Sequence, residues 1–210
     1  MSFIENSMPK TTWAKISRGR IVLTSKDEKP GYTPRVNQLG NTVHEQFFEA
    51  FEGQLVSFRT NDSEYGCQYI FSFKDEDGFV NIALNCDSGY ARNLMNRLLA
   101  DNLDIKQVFR ISPYQFQNNE GKSVSGLNIY QNGVKIEPKY KREDLPEAIK
   151  IVTKKNTTWN FAPIGDFLEE KFNEKILPNL NSTLPFIKKE ASENADGSFI
   201  EKDIFDLDID

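Results

Sequence analysis

The chain has 210 residues, 38% of them hydrophobic, and a formal net charge of −5. This length supports one good core, or one core with extensions, and no apolar run approaches the length of a membrane helix. An acidic balance would argue against a nucleic-acid partner if the charge were spread evenly along the chain, but it is not. Residues 186–210 contain three bases and eight acids, so their net charge of −5 is that of the whole chain, and the remaining residues are neutral in sum.

Two segments of this neutral body are basic. Residues 1–35 contain seven bases and three acids, and residues 120–155 contain eight bases and five acids. If the two segments meet in space, they could form a groove that follows a phosphate backbone.

The N-terminal third gives one strand signal between irregular segments. Residues 1–12 are predicted to be loose, and residues 13–24 are predicted to be one β segment that ends in the apolar run Ile21-Val22-Leu23. Residues 25–41 are rich in Lys, Pro, Gly and Asn, which predicts a loop. The chain shows no charged-then-apolar pattern at residue 1, so we expect no signal peptide.

Three strands are predicted next, over residues 47–60, 67–74 and 79–84. The second alternates, with Tyr69, Phe71 and Phe73 on one face, and we expect these three in the core. Asp77-Gly78 is a hairpin signal between the second and third strands. Cys67 and Cys86 fall in these strands; free thiols in a reducing cytosol are the favoured interpretation, with a disulfide as the alternative.

One short helix follows, and then more strands. Asp87 or Ser88 can cap the helix. After it, residues 105–116, 122–130 and 134–136 are predicted strands separated by turn signals. The apolar stripe of the helix repeats at helical spacing through Ala91, Leu94, Met95, Leu98 and Leu99.

This order predicts a mainly β fold. Strand, strand, strand, helix, strand, strand matches a five-stranded Greek-key OB-fold barrel with one helix between strands 3 and 4. An extra N-terminal strand and a C-terminal helix, at about residues 165–177, complete the predicted unit. That helix should pack on the barrel or on a neighbouring subunit, and the second arrangement would make the protein a homodimer. We expect residues 1–185 to form one domain and residues 186–210 an acidic tail.

The last eight residues alternate carboxylates with apolar side chains. Such a segment cannot bury its apolar groups without also burying charge, which predicts a disordered interaction tail. The residues expected to contact partners are Asp203, Phe205, Asp206, Leu207, Asp208, Ile209 and Asp210.

The predicted barrel order over about residues 13–139, together with this tail, resembles the phage-encoded single-stranded DNA-binding proteins. The resemblance implies a protein that coats single-stranded DNA during replication and recombination, largely without sequence preference. It implies a tail that recruits polymerase, helicase or primase and competes with DNA, and a location in the cytoplasm, that of the host cell for a phage-encoded protein. Such tails often end on Phe, whereas this one ends on Asp210, with Phe205 as the matching aromatic residue.

Sequence-tolerant binding of single strands requires aromatic faces for the bases and cations for the phosphates. One face of the strand at residues 105–116 offers both. A protein-interaction scaffold and an RNA-binding OB-fold protein are the alternative functions. The candidate nucleic-acid-binding residues are Arg59, Lys74, Lys106, Arg110, Tyr114, Phe116, Lys122 and Tyr130.

Catalytic and metal motifs are weak in this sequence, so we expect neither an enzyme nor a cofactor. His44 is the single histidine, predicted in a loop or at a helix start, and cannot complete a usual zinc site without further His or Cys ligands. Residues 75–78, Asp-Glu-Asp-Gly, lack the spacing of a calcium loop and are interpreted as a charged hairpin turn.

Overall fold

The computed structural model describes residues 10–37, 40–63, 66–119, 121–153 and 157–180. Within these ranges the protein is mainly β, as predicted. The predicted tail residues 203–210, the domain boundary at 185/186 and residues 1–9 lie outside the described residues. The strands are β1 (Lys10–Ser17), β2 (Arg20–Ser25), β3 (Thr33–Val36), β4 (Thr42–Phe48), β5 (Phe51–Ser63), β6 (Gly66–Lys74), β7 (Gly78–Asn85), β8 (Phe109–Gln117), β9 (Ser123–Gln131), β10 (Val134–Ile136), β11 (Ile149–Val152) and β12 (Thr157–Asn160). The α-helices are α1 (Gly89–Leu98), α2 (Ala162–Lys175) and α3 (Leu177–Leu180).

Ten of these strands form one sheet, in the order β10-β9-β8-β5-β6-β7-β1-β2-β4-β3. This differs from the predicted five-stranded barrel, and no closed barrel is found among the described residues. One reason is the pairing of β7. Its outer edge is taken by β1 in parallel, while β9 pairs with β8 and β10. The expected extra N-terminal strand is therefore an internal strand of the sheet.

Several element boundaries also differ from the prediction. The segment at residues 13–24 is two strands, because Arg18 and Gly19 turn the chain with φ of 50° and 72°. The predicted loop at residues 25–41 contains β3, and His44 lies in β4. The strand predicted from residue 105 begins at Phe109, because the chain first turns through residues 105–107. The hairpin signal at residues 131–133 is confirmed, with positive φ at Asn132 and Gly133.

The helices cover the inner side of the sheet. Helix α1 begins where predicted, with the Ser88 hydroxyl accepting a hydrogen bond from the Ala91 amide at 3.1 Å. The predicted C-terminal helix, α2, packs on the sheet, since the Phe172 ring lies 4.7 Å from that of Phe58. Tyr69, Phe71 and Phe73 are buried, which confirms their assignment to the core.

A hydrogen-bonded carboxylate also connects α2 to the sheet. Glu169 accepts hydrogen bonds from the Tyr69 hydroxyl at 2.7 Å and from the Thr60 hydroxyl at 3.0 Å. Burial, and then the hydrogen bond to Glu169, raise the pKa of Tyr69. The phenol therefore stays protonated and keeps donating to the helix.

The favoured interpretation of the cysteines as free thiols is wrong in this structure, where Cys67 and Cys86 form a disulfide. Cys67 lies in β6 and Cys86 directly follows β7, its antiparallel neighbour, so the two Cα atoms are 5.5 Å apart. That separation lies within the range a disulfide requires. Strand pairing decides which cysteines meet, and a preference based on the cellular compartment does not include it.

Across the described residues, no helix is both long and apolar enough to cross a membrane.

Candidate nucleic-acid interface

Strand β8 separates its residues between the core and an outer face. Phe109 and Ile111 point inward and are buried. The alternate residues Arg110, Tyr114 and Phe116 therefore lie on the outer face, as the period of two in a strand requires. Phe116 is 54% exposed, a large value for an aromatic side chain. The predicted alternation of this part of β8 is confirmed, and the nucleic-acid contact of these residues stays a prediction.

The register of the neighbouring strands adds a row of polar groups to this outer face. Arg110 is paired with Tyr130 of β9 on one side and with Glu52 of β5 on the other. Tyr130 is in turn paired with Lys135 of β10. Arg110, Tyr130 and Glu52 line a groove of about 620 Å³, together with Val108. The row places two cations, a phenol ring and one carboxylate across four adjacent strands.

Two aromatic rings continue the face along β8. The rings of Tyr114 and Phe116 lie with centroids 6.0 Å apart and planes inclined by 28°. Tyr114 is paired with Gly126 of β9, and a Cβ on Gly126 would lie 2.6 Å from the Tyr114 hydroxyl oxygen. Tyr114 can therefore extend over the backbone of β9 because residue 126 has no side chain. We call the set Arg110, Tyr114, Phe116 and Tyr130 the aromatic platform.

The turn between β1 and β2 lies against β8 beside this platform. A Cβ on Gly19 would lie 2.4 Å from the Gln115 backbone nitrogen, so the two backbones touch. The Gly19 amide donates to the Tyr90 hydroxyl at 3.0 Å, and that hydroxyl donates to the Tyr114 carbonyl at 3.4 Å. Burial raises the pKa of Tyr90, which keeps this donor protonated.

This contact brings the β1–β2 turn, which carries two cations, close to the backbone of residues 114 and 115. Arg18 and Arg20 flank Gly19, and both are exposed. Both belong to the first basic segment, and neither was among the predicted nucleic-acid-binding residues. Their proximity to β8 depends on a turn with positive φ at a non-glycine residue, Arg18, and on the long-range contact of Gly19. Neither the positive φ at Arg18 nor the long-range contact of Gly19 has a strong sequence signal. The excess of bases over acids in residues 1–35 was the partial signal for these two cations.

The other predicted lysines lie around the platform rather than within it. Lys74 is at the end of β6, paired with Gln54 of β5, so it is two strands from β8 on the same outer face. Lys122 lies in the turn after β8, where its amide donates to the Asn118 side chain at 2.9 Å. Lys106 lies in the turn before β8, and its amide donates to Asp104 at 3.0 Å. Placing Lys106 on the strand itself was wrong.

Arg59 lies farther from the platform. It is paired with Ile70 of β6, five residues along β5 from Gln54, which corresponds to about 16 Å of strand. The structure therefore places Arg110 next to Tyr130 by register and Tyr114 next to Phe116 by ring contact, with the second pair four to six residues farther along the same face of β8. Arg59 lies on a separate part of the sheet.

The described residues contain no group of three or more His, Cys, Asp or Glu side chains placed to hold a metal ion. The outer face presents aromatic rings and charged side chains. Flat aromatic groups next to guanidinium and ammonium groups can stack on bases and contact phosphates at the same time.

No protein-family model, no curated protein and no solved structure matches this chain.

Proposed function

We propose that this protein binds and coats single-stranded DNA, largely without sequence preference, during replication or recombination. The aromatic platform is the proposed contact surface. Its rings take the bases, and Arg110 takes a phosphate, as do Arg18 and Arg20 at the β1–β2 turn near residues 114 and 115. Binding of this kind requires no catalytic residue and no cofactor.

The observation that carries this proposal is the exposed Phe116 ring next to the partly exposed Tyr114 ring, on the same face of β8 as Arg110. Large aromatic groups in a soluble protein are normally buried, so a neighbouring pair on an outer sheet face indicates a contact surface. Stacking of a base on such a ring contributes about 1–3 kcal/mol and tolerates any sequence, since every base has a π-face.

The arrangement of six elements supports an OB-like fold as part of the proposal. The chain order β5, β6, β7, α1, β8, β9 has its one helix between the third and fourth of these strands. Strand β5 pairs with both β6 and β8. In OB-folds, a strand face and its adjoining loops bind oligonucleotides. We therefore propose that the ten-stranded sheet is an OB-like unit extended by the N-terminal strands.

The acidic residues 203–210 have a separate role in this proposal. They recruit replication proteins such as polymerase, helicase or primase, and as a polyanion they compete with DNA for the platform. We place this work in the cytoplasm, that of a host cell if the protein is phage-encoded. The Cys67–Cys86 bond is the observation that stands against this location, because a reducing cytosol keeps most thiols free.

The platform can be tested by single substitutions. Tyr114→Ala and Phe116→Ala should each weaken binding to a fluorescent oligo-dT strand by about 1–3 kcal/mol. Phe47→Ala is the matched control, because Phe47 is also an exposed aromatic residue, at 43%, but lies on β4. If all three variants bind as the wild type does, the platform is not the contact surface. Melting curves on the same samples separate lost binding from lost folding.

A further inference from the structure

A second exposed aromatic surface lies outside the ten-stranded sheet. Strands β11 and β12 form a separate two-stranded hairpin, and all eight of their residues are exposed. Trp159 is the largest apolar side chain of the hairpin and is 54% exposed. An isolated two-stranded ribbon is marginally stable in water. Such a ribbon with an uncovered indole ring is expected to gain stability from a ligand.

The two faces of this hairpin differ in chemistry. The register pairs Lys150 with Trp159 and Val152 with Thr157, so these four residues share one face, which we call the hairpin face. The Lys150 ammonium group lies 6.0 Å from the centroid of the Trp159 ring. The opposite face carries Ile149 and Ile151 and no charge.

Charge indicates which ligand fits the hairpin face. Residues 148–165 contain three lysines and neither Asp nor Glu, within a chain that is acidic overall. A cation next to a tryptophan ring, in a segment without carboxylates, matches the phosphate and base of a nucleic-acid strand.

The hairpin is also joined to the body of the protein. Phe161 directly follows β12, and the Arg92 guanidinium of α1 lies 4.6 Å from the centroid of its ring. This contact connects the hairpin to the helix that packs on β9. A strand bound at the hairpin face would therefore be held by the same molecule that carries the platform.

We propose that the hairpin face is a second contact for single-stranded nucleic acid, with Trp159 stacking on a base and Lys150 contacting a phosphate. The inference rests on the proposed function of the protein, because it assigns the same class of ligand. It adds a site that the sequence analysis did not select.

Tryptophan fluorescence tests this contact directly, because the chain has two tryptophans, Trp13 and Trp159. In the Trp13→Phe variant all tryptophan emission comes from Trp159. Titration of this variant with a long oligo-dT strand should quench the emission, saturating together with binding. Trp159→Ala should weaken binding roughly 5- to 150-fold, the equivalent of stacking one base. Lys150→Gln should make the log–log salt slope less steep by about 0.7.

Ile151→Ala is the matched control, because Ile151 is exposed on the opposite face of the same hairpin and should not affect affinity. The inference is overturned if Trp159→Ala binds as the wild type does, or if affinity falls without quenching. If the hairpin contact fails this test but Tyr114→Ala weakens binding in the same assay, the proposed function of the protein still holds. If neither Trp159→Ala nor Tyr114→Ala changes the affinity, both proposals fail. A change in sedimentation with unchanged affinity in the Trp159→Ala or Ile151→Ala variant would instead identify the hairpin as a surface between copies of this chain, and would also overturn the inference.

Discussion

Gly126 gives the Tyr114 ring its position. A methyl group at residue 126 would lie 2.6 Å from the Tyr114 hydroxyl oxygen, so the ring would have to move. The displaced group is the far end of a side chain that is partly exposed, and the cost to folding should be small. Gly126→Ala should therefore weaken binding of single-stranded DNA nearly as much as Tyr114→Ala, with a melting temperature close to that of the wild type.

Combining the two substitutions tests the mechanism. If Gly126 acts through the ring, the double variant should bind no more weakly than Tyr114→Ala alone, because the two changes remove one interaction. Additive losses in the double variant would show that Gly126 contributes by another route.

Glu52 is the carboxylate that lines the groove with Arg110 and Tyr130. A phosphate bound at Arg110 would be repelled by this acid, so Glu52→Gln should strengthen DNA binding, and most clearly at low salt, where screening is weak. Glu143→Gln removes the same charge from an exposed residue in the short 3₁₀ turn at residues 142–144 and serves as the control. Weaker binding by Glu52→Gln, measured by fluorescence anisotropy at two salt concentrations, would contradict a phosphate site at Arg110.

The β1–β2 turn holds the N-terminal strands against β8 through Gly19. Gly19→Ala places a side chain where φ is +72° and where the nearest backbone atom is 2.4 Å away. Backbone strain and overpacking together should lower the free energy of unfolding by about 2–5 kcal/mol. Gly121→Ala has an equivalent φ of +73° and open space around it, so it measures strain alone, about 1–3 kcal/mol. Equal losses in urea unfolding would mean that the contact with Gln115 is not tight.

Sequence periodicity predicted those elements whose pattern is local. The alternation around Phe109 and Ile111 correctly gave the outer face of β8, and the helical stripe through Leu94 and Leu98 gave α1. Non-local pairings have no such signal. The parallel pairing of β1 with β7 and the contact of Gly19 with Gln115 depend on the assembled sheet. For that reason Arg18 and Arg20 were missed, and a five-stranded barrel was expected where the structure has a ten-stranded sheet.

In the whole molecule, the charge is divided between a neutral body and an acidic C-terminal segment. Deleting residues 203–210 removes four acids and no base, so the net charge becomes −1. If these residues compete with DNA for the platform, the truncated protein should bind single-stranded DNA more tightly, with the larger gain at low salt. Its melting temperature should not change, because the sequence predicts that these residues make no core contacts.

The Phe205→Ala, Leu207→Ala double variant is the control for charge, since it keeps all four acids. It should bind DNA as the full chain does and should lose contact with polymerase or helicase in a pull-down. A truncated protein that melts well below the full chain would contradict the predicted tail.

In the proposed complex, unstacked bases lie on the exposed Phe116 ring and on the partly exposed rings of Tyr114 and Tyr130. The most direct test is one titration of the full chain with matched single-stranded and duplex DNA of the same length, repeated over a range of salt concentrations. We predict tighter binding to the single strand, because a duplex hides its base faces, and a log–log salt slope of about −0.7 for each phosphate neutralised. Equal affinity for both forms, or binding to neither, would contradict it and favour a protein-interaction scaffold.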